Sequence, residues 1–190
     1  MSDQPARPVF LVGFMGAGKT TVGKVLAPLL NYEFVDLDDI IEERMGMSVQ
    51  SIFAKLGEAE FRRAESEALD TCRERFRTVI ALGGGAYVAE SNRELMREIG
   101  MTIWLDCPLE VCLSRLGDDP SRPVLGSKPE MEALLDRRRG AYMMADLVIE
   151  VGNAIPEEVA GEIVKLVRGD WQHLKGRKRH KGTKARRRTK

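Results

Sequence analysis

Eight residues, Gly13-Phe14-Met15-Gly16-Ala17-Gly18-Lys19-Thr20, have the spacing G-x-x-x-x-G-K-[ST], a pattern that cradles phosphate. Glycines permit left-handed turns and let the backbone come close to an anion. Successive N–H groups of the loop and of the helix N-terminus after it then point at phosphate oxygens. Lys19 adds a point charge for β- and γ-phosphates, and the Thr20 hydroxyl can join the shell of a Mg²⁺ ion. A glycine turn that only opens a helix is the plain alternative, and the context argues against it. The apolar run Val9-Phe10-Leu11-Val12 leads in, and residues 21–30 follow with helical periodicity. Strand, loop and helix together imply a nucleoside triphosphate site.

Three further groups carry possible chemistry. Asp36 and Asp38 stand at the exit of an apolar pair, where a hard cation needs oxygen ligands and a hydroxyl nucleophile needs a base. The competing reading is a turn that caps the next helix. Gly83-Gly84-Gly85 follows a β-branched run and would expose backbone N–H groups to a ligand. Arg62, Arg63, Arg122 and the run Arg137-Arg138-Arg139 supply enough guanidinium to clamp a carboxylate bidentately. Most helical arginines are simply solvated, but Arg122 lies between Pro120 and Pro123 in a breaker-rich loop. An arginine on such a lid can close over a triphosphate and exclude water.

These groups must be positioned by alternating strands and helices. Short apolar strands are expected at 9–12, 33–36, 78–82, 101–105 and 147–150. Helices are expected at 38–45, 48–56, 58–76, 108–116, 130–144 and 156–168, with Gly46 and Gly57 as breaks. Ser91 and Glu94 have capping-box spacing for a further helix that Gly100 closes, and Pro28 must fall in the last turn of its helix or kink it. The alternation predicts an α/β fold of three αβα layers around a five-stranded parallel sheet, with a lid loop over the site. In such sheets ligands bind beyond the carboxyl ends of the strands, where the phosphate loop, Asp36, Asp38 and the glycine triplet all begin.

At 190 residues and 43% hydrophobic content, one domain with a sizeable core is expected. No stretch has the apolar length of a membrane span, and Cys72, Cys107 and Cys112 lack metal-type spacing, which fits a reduced, cytoplasmic protein. The net charge of +1 hides two regions: residues 175–190 carry ten Lys/Arg and no acid, which leaves 20 basic against 29 acidic residues elsewhere. The expected division is an N-terminal extension at 1–8, a phosphate-loop domain at 9–170 and a basic tail at 171–190. The tail has the charge to bind nucleic acid or another polyanion, but from Lys175 onward it has no aromatic side chain for stacking on bases. A solvated tail is therefore favoured over one that binds nucleic acid or another polyanion, and no membrane partner is expected.

An ordered series of motifs over about residues 8–168 closely resembles the shikimate kinase family. The series is G-F-M-G-A-G-K-T from Gly13, F-V-D-L-D from Phe34, G-M-S-V-Q-S-I-F from Gly46 and G-E-A-E-F-R-R-A-E from Gly57. It continues with A-L-G-G-G-A from Ala81, S-R-P-V-L from Ser121 and R-R-G-A-Y from Arg138. The resemblance implies a monomeric kinase of the nucleoside-monophosphate-kinase-like fold, using ATP with Mg²⁺ to phosphorylate the 3-hydroxyl of shikimate. It implies that Gly16, Ala17, Gly18, Lys19, Thr20 and Thr21 hold the nucleotide, with Arg115 against the adenine and Arg122 on the phosphates. Asp38 is then the candidate base and contacts the shikimate hydroxyls, while Arg62, Arg138, Gly84 and Gly85 hold the substrate. Thr20 is then the direct metal ligand and Asp36 the magnesium-side carboxylate, acting through water; Lys19, Asp38 and Arg122 form the catalytic set.

This chain departs from the family pattern in three places. Gly140 replaces a proline behind Arg138, which leaves the choice among Arg137, Arg138 and Arg139 open; Thr20 replaces a common serine; and no arginine lies near Asn153. A kinase for another hydroxy acid, such as gluconate, would lack the two separated clamp arginines. A GTPase would need N-K-x-D and D-x-x-G motifs, and neither occurs.

Overall fold

The computed structural model describes residues 6–116 and 127–170. Arg122 with its loop, the first five residues and the basic tail lie outside the described residues. Strands β1 (Val9–Val12), β2 (Glu33–Asp36), β3 (Thr78–Ala81), β4 (Met101–Asp106) and β5 (Leu147–Glu150) form one parallel sheet in the order β2-β3-β1-β4-β5. Helices α1 (Lys19–Leu30), α2 (Leu37–Met45), α3 (Val49–Asp70), α4 (Glu90–Ile99), α5 (Leu109–Leu116), α6 (Lys128–Tyr142) and α7 (Pro156–Asp170) flank it. All residues of β1 and β3 are buried, as are the first five of β4. Strands covered on both faces read as unbroken apolar runs, which is why Val9-Phe10-Leu11-Val12 shows no alternation.

The register fixes where the functional loops begin. Leu11 lies opposite Ala81 of β3 and Ile103 of β4, so β1 and β3 release their chains side by side. From β1 the chain crosses past β3 to β2, and from β3 it crosses the other way to β4. Connections that part in opposite directions open a crevice between the two strand ends, the switch point at which α/β sheets take ligands. The phosphate loop and the glycine triplet lie on its two sides.

Local chemistry sets the helix ends. Pro28 sits in the last turn of α1, where the one i→i−4 hydrogen bond it forfeits lies at the end of the helix, and Asn31 closes the helix in the left-handed region at φ 58°. α3 is broken at Gly57 (φ 84°, ψ 173°), as the sequence implies. It ends at Asp70, short of residue 76, because the chain tightens into a 3₁₀ turn at Thr71–Glu74, where the Thr71 hydroxyl donates to Ala68 O (2.6 Å). The capping box expected at Ser91 does not form. α4 starts at Glu90 with Ala89 as its cap, so Ser91 lies inside the first turn. The box appears instead on α6, where the Glu130 carboxylate accepts from the Ser127 N–H (2.6 Å) and hydroxyl (2.9 Å).

Two glycines make opposite predictions. A Cβ on Gly140, in the last turn of α6, would meet nothing within 4 Å, whereas one on Gly100 would stand 2.5 Å from Pro8 O and 2.6 Å from the Phe10 ring. Gly140→Ala should raise stability by about 0.5–1 kcal/mol through helix propensity. Gly100→Ala should lower it by about 1–3 kcal/mol through overpacking against backbone. Urea denaturation of the two variants checks both signs.

Candidate active site

Gly16 shows why the phosphate loop needs glycine. Its φ is +75°, and a Cβ there would lie 2.5 Å from Cys112 O on α5, so the loop rests directly on that helix backbone. Lys19 is buried and donates from Nζ to Gly13 O (3.0 Å) and Phe14 O (2.8 Å), the loop's own carbonyls. Arg115 on α5 braces the loop from outside, its guanidinium donating to Gly152 O (3.1 Å) and reaching Ala17 O (3.5 Å). The Thr20 hydroxyl donates to Asp36 Oδ2 (2.8 Å), while Asp36 Oδ1 accepts from the Asp38 N–H (3.2 Å) and caps α2. One carboxylate oxygen of Asp36 therefore caps a helix, as the turn reading expects, and the other faces the phosphate loop.

A cleft of about 540 Å³ unites these groups. Gly16, Gly18, Lys19, Thr20, Thr21, Asp36, Asp38, Gly84 and Arg115 line it, and Ala17 is buried behind it. Arg62, Gly85 and Arg138 adjoin Gly84 at its end. A Cβ on Gly84 would lie 3.0 Å from the Arg138 guanidinium, and one on Gly85 would lie 2.3 Å from that of Arg62. The glycine triplet is thus held between two arginines from different helices, α6 and α3.

The structure separates the arginines that sequence leaves together. Arg139 turns away from the cleft, its guanidinium over the Trp104 ring (5.6 Å) and 3.4 Å from Asp106. Arg63 pairs with Glu60 and Glu67 on the surface. Arg62 instead pairs with the buried Glu65 (2.7 Å) and with Glu58 (3.2 Å).

Glu65 and Tyr142 are residues that sequence reasoning passed over. Both fall inside quoted motifs, but only a helical wheel anchored on the neighbouring arginines would have singled them out: Glu65 is three residues after Arg62, and Tyr142 is four after Arg138. Among the described residues Oε1 of Glu65 and Oδ1 of Asp38 are buried without a partner, and both face Gly83, whose added Cβ would meet them at 3.0 and 3.2 Å. Buried oxygens in that condition mark a place for a polar ligand or water.

Comparison with known proteins agrees with this geometry. A family model described as shikimate kinase matches residues 15–168. A shikimate kinase of Geobacter sulfurreducens is 47% identical over 165 residues, covering 85% of this chain and 91% of the relative. Shikimate kinase from Acinetobacter baumannii, solved in complex with shikimate, superposes with a TM-score of 0.81 at 37% identity, covering 87% of this chain and 94% of that one. The Aquifex aeolicus shikimate kinase does so with a TM-score of 0.75 at 36% identity, over 87% and 99% of the two chains.

Electrostatically the cleft is not at rest. Burial lowers the Lys19 ammonium to about 8 against the pull of Asp38 and Asp36. Burial, reinforced by Asp36, raises the Asp38 carboxyl from 3.8 to about 6. Burial also raises Glu65, although Arg62 opposes it. For Asp38 the folded state binds the proton more tightly than the unfolded chain, so stability falls as pH rises from 3.8 to about 6 and stays reduced above. Asp38→Asn should therefore stabilise the protein by about 1–3 kcal/mol at pH 7.5 and far less at pH 4. Melting temperatures of both proteins across that range test the sign.

Proposed function

The chain belongs to the shikimate kinase family, and we propose that its cleft places ATP on the phosphate loop and shikimate against Asp38, Arg62, Gly84, Gly85 and Arg138. As a kinase of this family it is an ATP-dependent phosphotransferase with an alcohol acceptor. It moves the γ-phosphoryl group to the 3-hydroxyl of shikimate, the step that serves aromatic amino-acid biosynthesis. One observation carries the substrate assignment: two arginines from separate helices flank a glycine loop whose N–H groups have no partner among the described residues. Paired guanidinium groups and free N–H donors suit a carboxylate.

Phosphoryl transfer asks the protein for positioning and charge neutralisation. Lys19 would exchange the Gly13 and Phe14 carbonyls for β- and γ-phosphate oxygens, which favour its charged form. Asp38, raised to about 6, is ionised at neutral pH and can accept the hydroxyl proton. Arg115 presents a planar face on which adenine can stack. We assign the phosphate-closing role to Arg122, on the loop outside the described residues.

The Thr20 hydroxyl and Asp36 carboxylate bring two hard oxygen donors within 2.8 Å of each other. That set suits Mg²⁺, a cation that takes few protein ligands and completes its shell with water and phosphate. Thr20 and Asp36 would hold it, and it would neutralise charge on the triphosphate.

Residues 9–170 form the proposed kinase domain, with 1–8 an extension and 171–190 a basic tail beyond the family match. Among the described residues no helix is long and apolar enough to cross a membrane, and all three cysteines are buried thiols. These observations support a cytoplasmic enzyme, taken as a monomer whose small-molecule partners are shikimate and ATP.

ADP release from ATP and Mg²⁺ should require shikimate and fail with gluconate, with kcat/KM falling below about pH 6 as Asp38 takes a proton. Turnover with gluconate alone would overturn the acceptor. Arg138→Met should raise the shikimate KM about tenfold or more, with Arg139→Met near wild type. A chain lacking residues 175–190 should keep its turnover and lose only salt-sensitive polyanion binding, measured by retention on heparin.

A further inference from the structure

The glycine triplet commits all its carbonyls to protein and leaves its N–H groups open. Gly83 O accepts from the Ala86 N–H (3.2 Å) and Gly85 O from the Val88 N–H (2.9 Å), both local turn bonds. Gly84 O is held differently, by the Tyr142 hydroxyl at the end of α6, 58 residues away. No N–H of the three glycines has a partner among the described residues. Tyr142 is fully buried, its ring 5.9 Å from that of Trp104, and burial raises its hydroxyl to about 12, so it stays a donor at any working pH.

We propose that Tyr142 is a positioning residue for the acceptor: by holding Gly84 O it sets the Gly84–Gly85 peptide so that the Gly85 N–H serves the acceptor's carboxylate. The argument rests on peptide geometry. In a trans peptide the carbonyl and the following N–H point in opposite directions, so fixing Gly84 O against α6 turns the Gly85 N–H away from that helix. Gly85 itself lies against the Arg62 guanidinium on the other side. Without the hydroxyl, a peptide between two glycines has little to resist rotation. Arg138 lies one helical turn before Tyr142 on the same face of α6, and its charge acts on the Tyr142 hydroxyl. One helix face thus supplies both a clamp guanidinium and the hydroxyl that aims the backbone donor, so arginine and amide are set as a unit.

This inference deepens the acceptor assignment above and rests on it. Tyr142→Phe keeps the ring packed on Trp104 and removes only the hydroxyl. The shikimate KM should rise about fivefold to tenfold, the yield of one neutral hydrogen bond, with the ATP KM within twofold of wild type. Combined with Arg138→Met, the loss in kcat/KM should be smaller than the product of the single losses, because both changes act on one contact. In the wild-type protein, a shikimate titration followed by NMR should shift the Gly85 amide. An unchanged shikimate KM, a parallel rise in the ATP KM, multiplicative losses or an unmoved Gly85 amide would each overturn the role of Tyr142. Absence of shikimate-dependent turnover in the wild type would instead sink the acceptor assignment itself, so the two failures are distinguishable.

Discussion

Strand β1 is paired on both sides, to β3 and to β4, and every group in the cleft is placed relative to that strand. Parallel ladders leave no short route between neighbouring strands, so the chain must leave β1 across a helix. The phosphate loop is the start of that crossing. Its close approach to Leu105 O and Cys112 O, 2.8 and 2.5 Å from where Cβ atoms of Gly13 and Gly16 would stand, ties it to β4 and α5 as well. A shift of β1 by one residue would detach the loop from both supports and carry Thr20 away from Asp36.

The cost of this arrangement is visible in the buried charges. Lys19 and Glu65 are both buried, and burial disfavours the charged form of Lys19, Asp38 and Glu65 alike. For Lys19 the folded-state value near 8 lies below that of the free side chain, so the fold gains stability only as pH rises from about 8 to 10.5. For Asp38 the sign is opposite: stability is lost as pH rises from 3.8 to about 6 and is not regained above. At neutral pH both act against folding. A triphosphate beside Lys19 and a hydroxyl beside Asp38 would favour the charged forms and offset part of that cost on binding.

How far the site was legible in the sequence depends on whether backbone or side chains build it. The phosphate loop is a backbone device, and its glycines and lysine announce it at fixed spacing. Asp36 and Asp38 were legible because a strand end places them. The clamp was less so: three consecutive arginines point three ways around a helix, and only packing against Trp104 and the glycine loop sends Arg139 outward and Arg138 inward. Glu65 and Tyr142 act through partners distant in the chain or hidden by helical periodicity, which motif spacing does not expose. The misplaced capping box has the same origin. Asn92 is buried with its amide on Ala86 O (3.0 Å), and this tertiary contact goes with α4 starting one residue before Ser91.

The cleft therefore divides into halves that obey different physics. The nucleotide half is mostly main chain, fixed by a sheet that also forms the core, so changes there disturb the fold and the reaction together. The acceptor half hangs on side chains from α2, α3 and α6, gathered around the glycine loop that follows β3. Side chains on separate helices can be exchanged without altering the ladder beneath them, and a loop of glycines accepts new neighbours with little steric penalty. Choice of acceptor is thus set where the fold has freedom, and transfer of the phosphoryl group where it has none. The junction between the halves is Gly83, over which Asp38 and Glu65 converge: a side chain there would press on both carboxylates, each of which would have to give by a few tenths of an ångström.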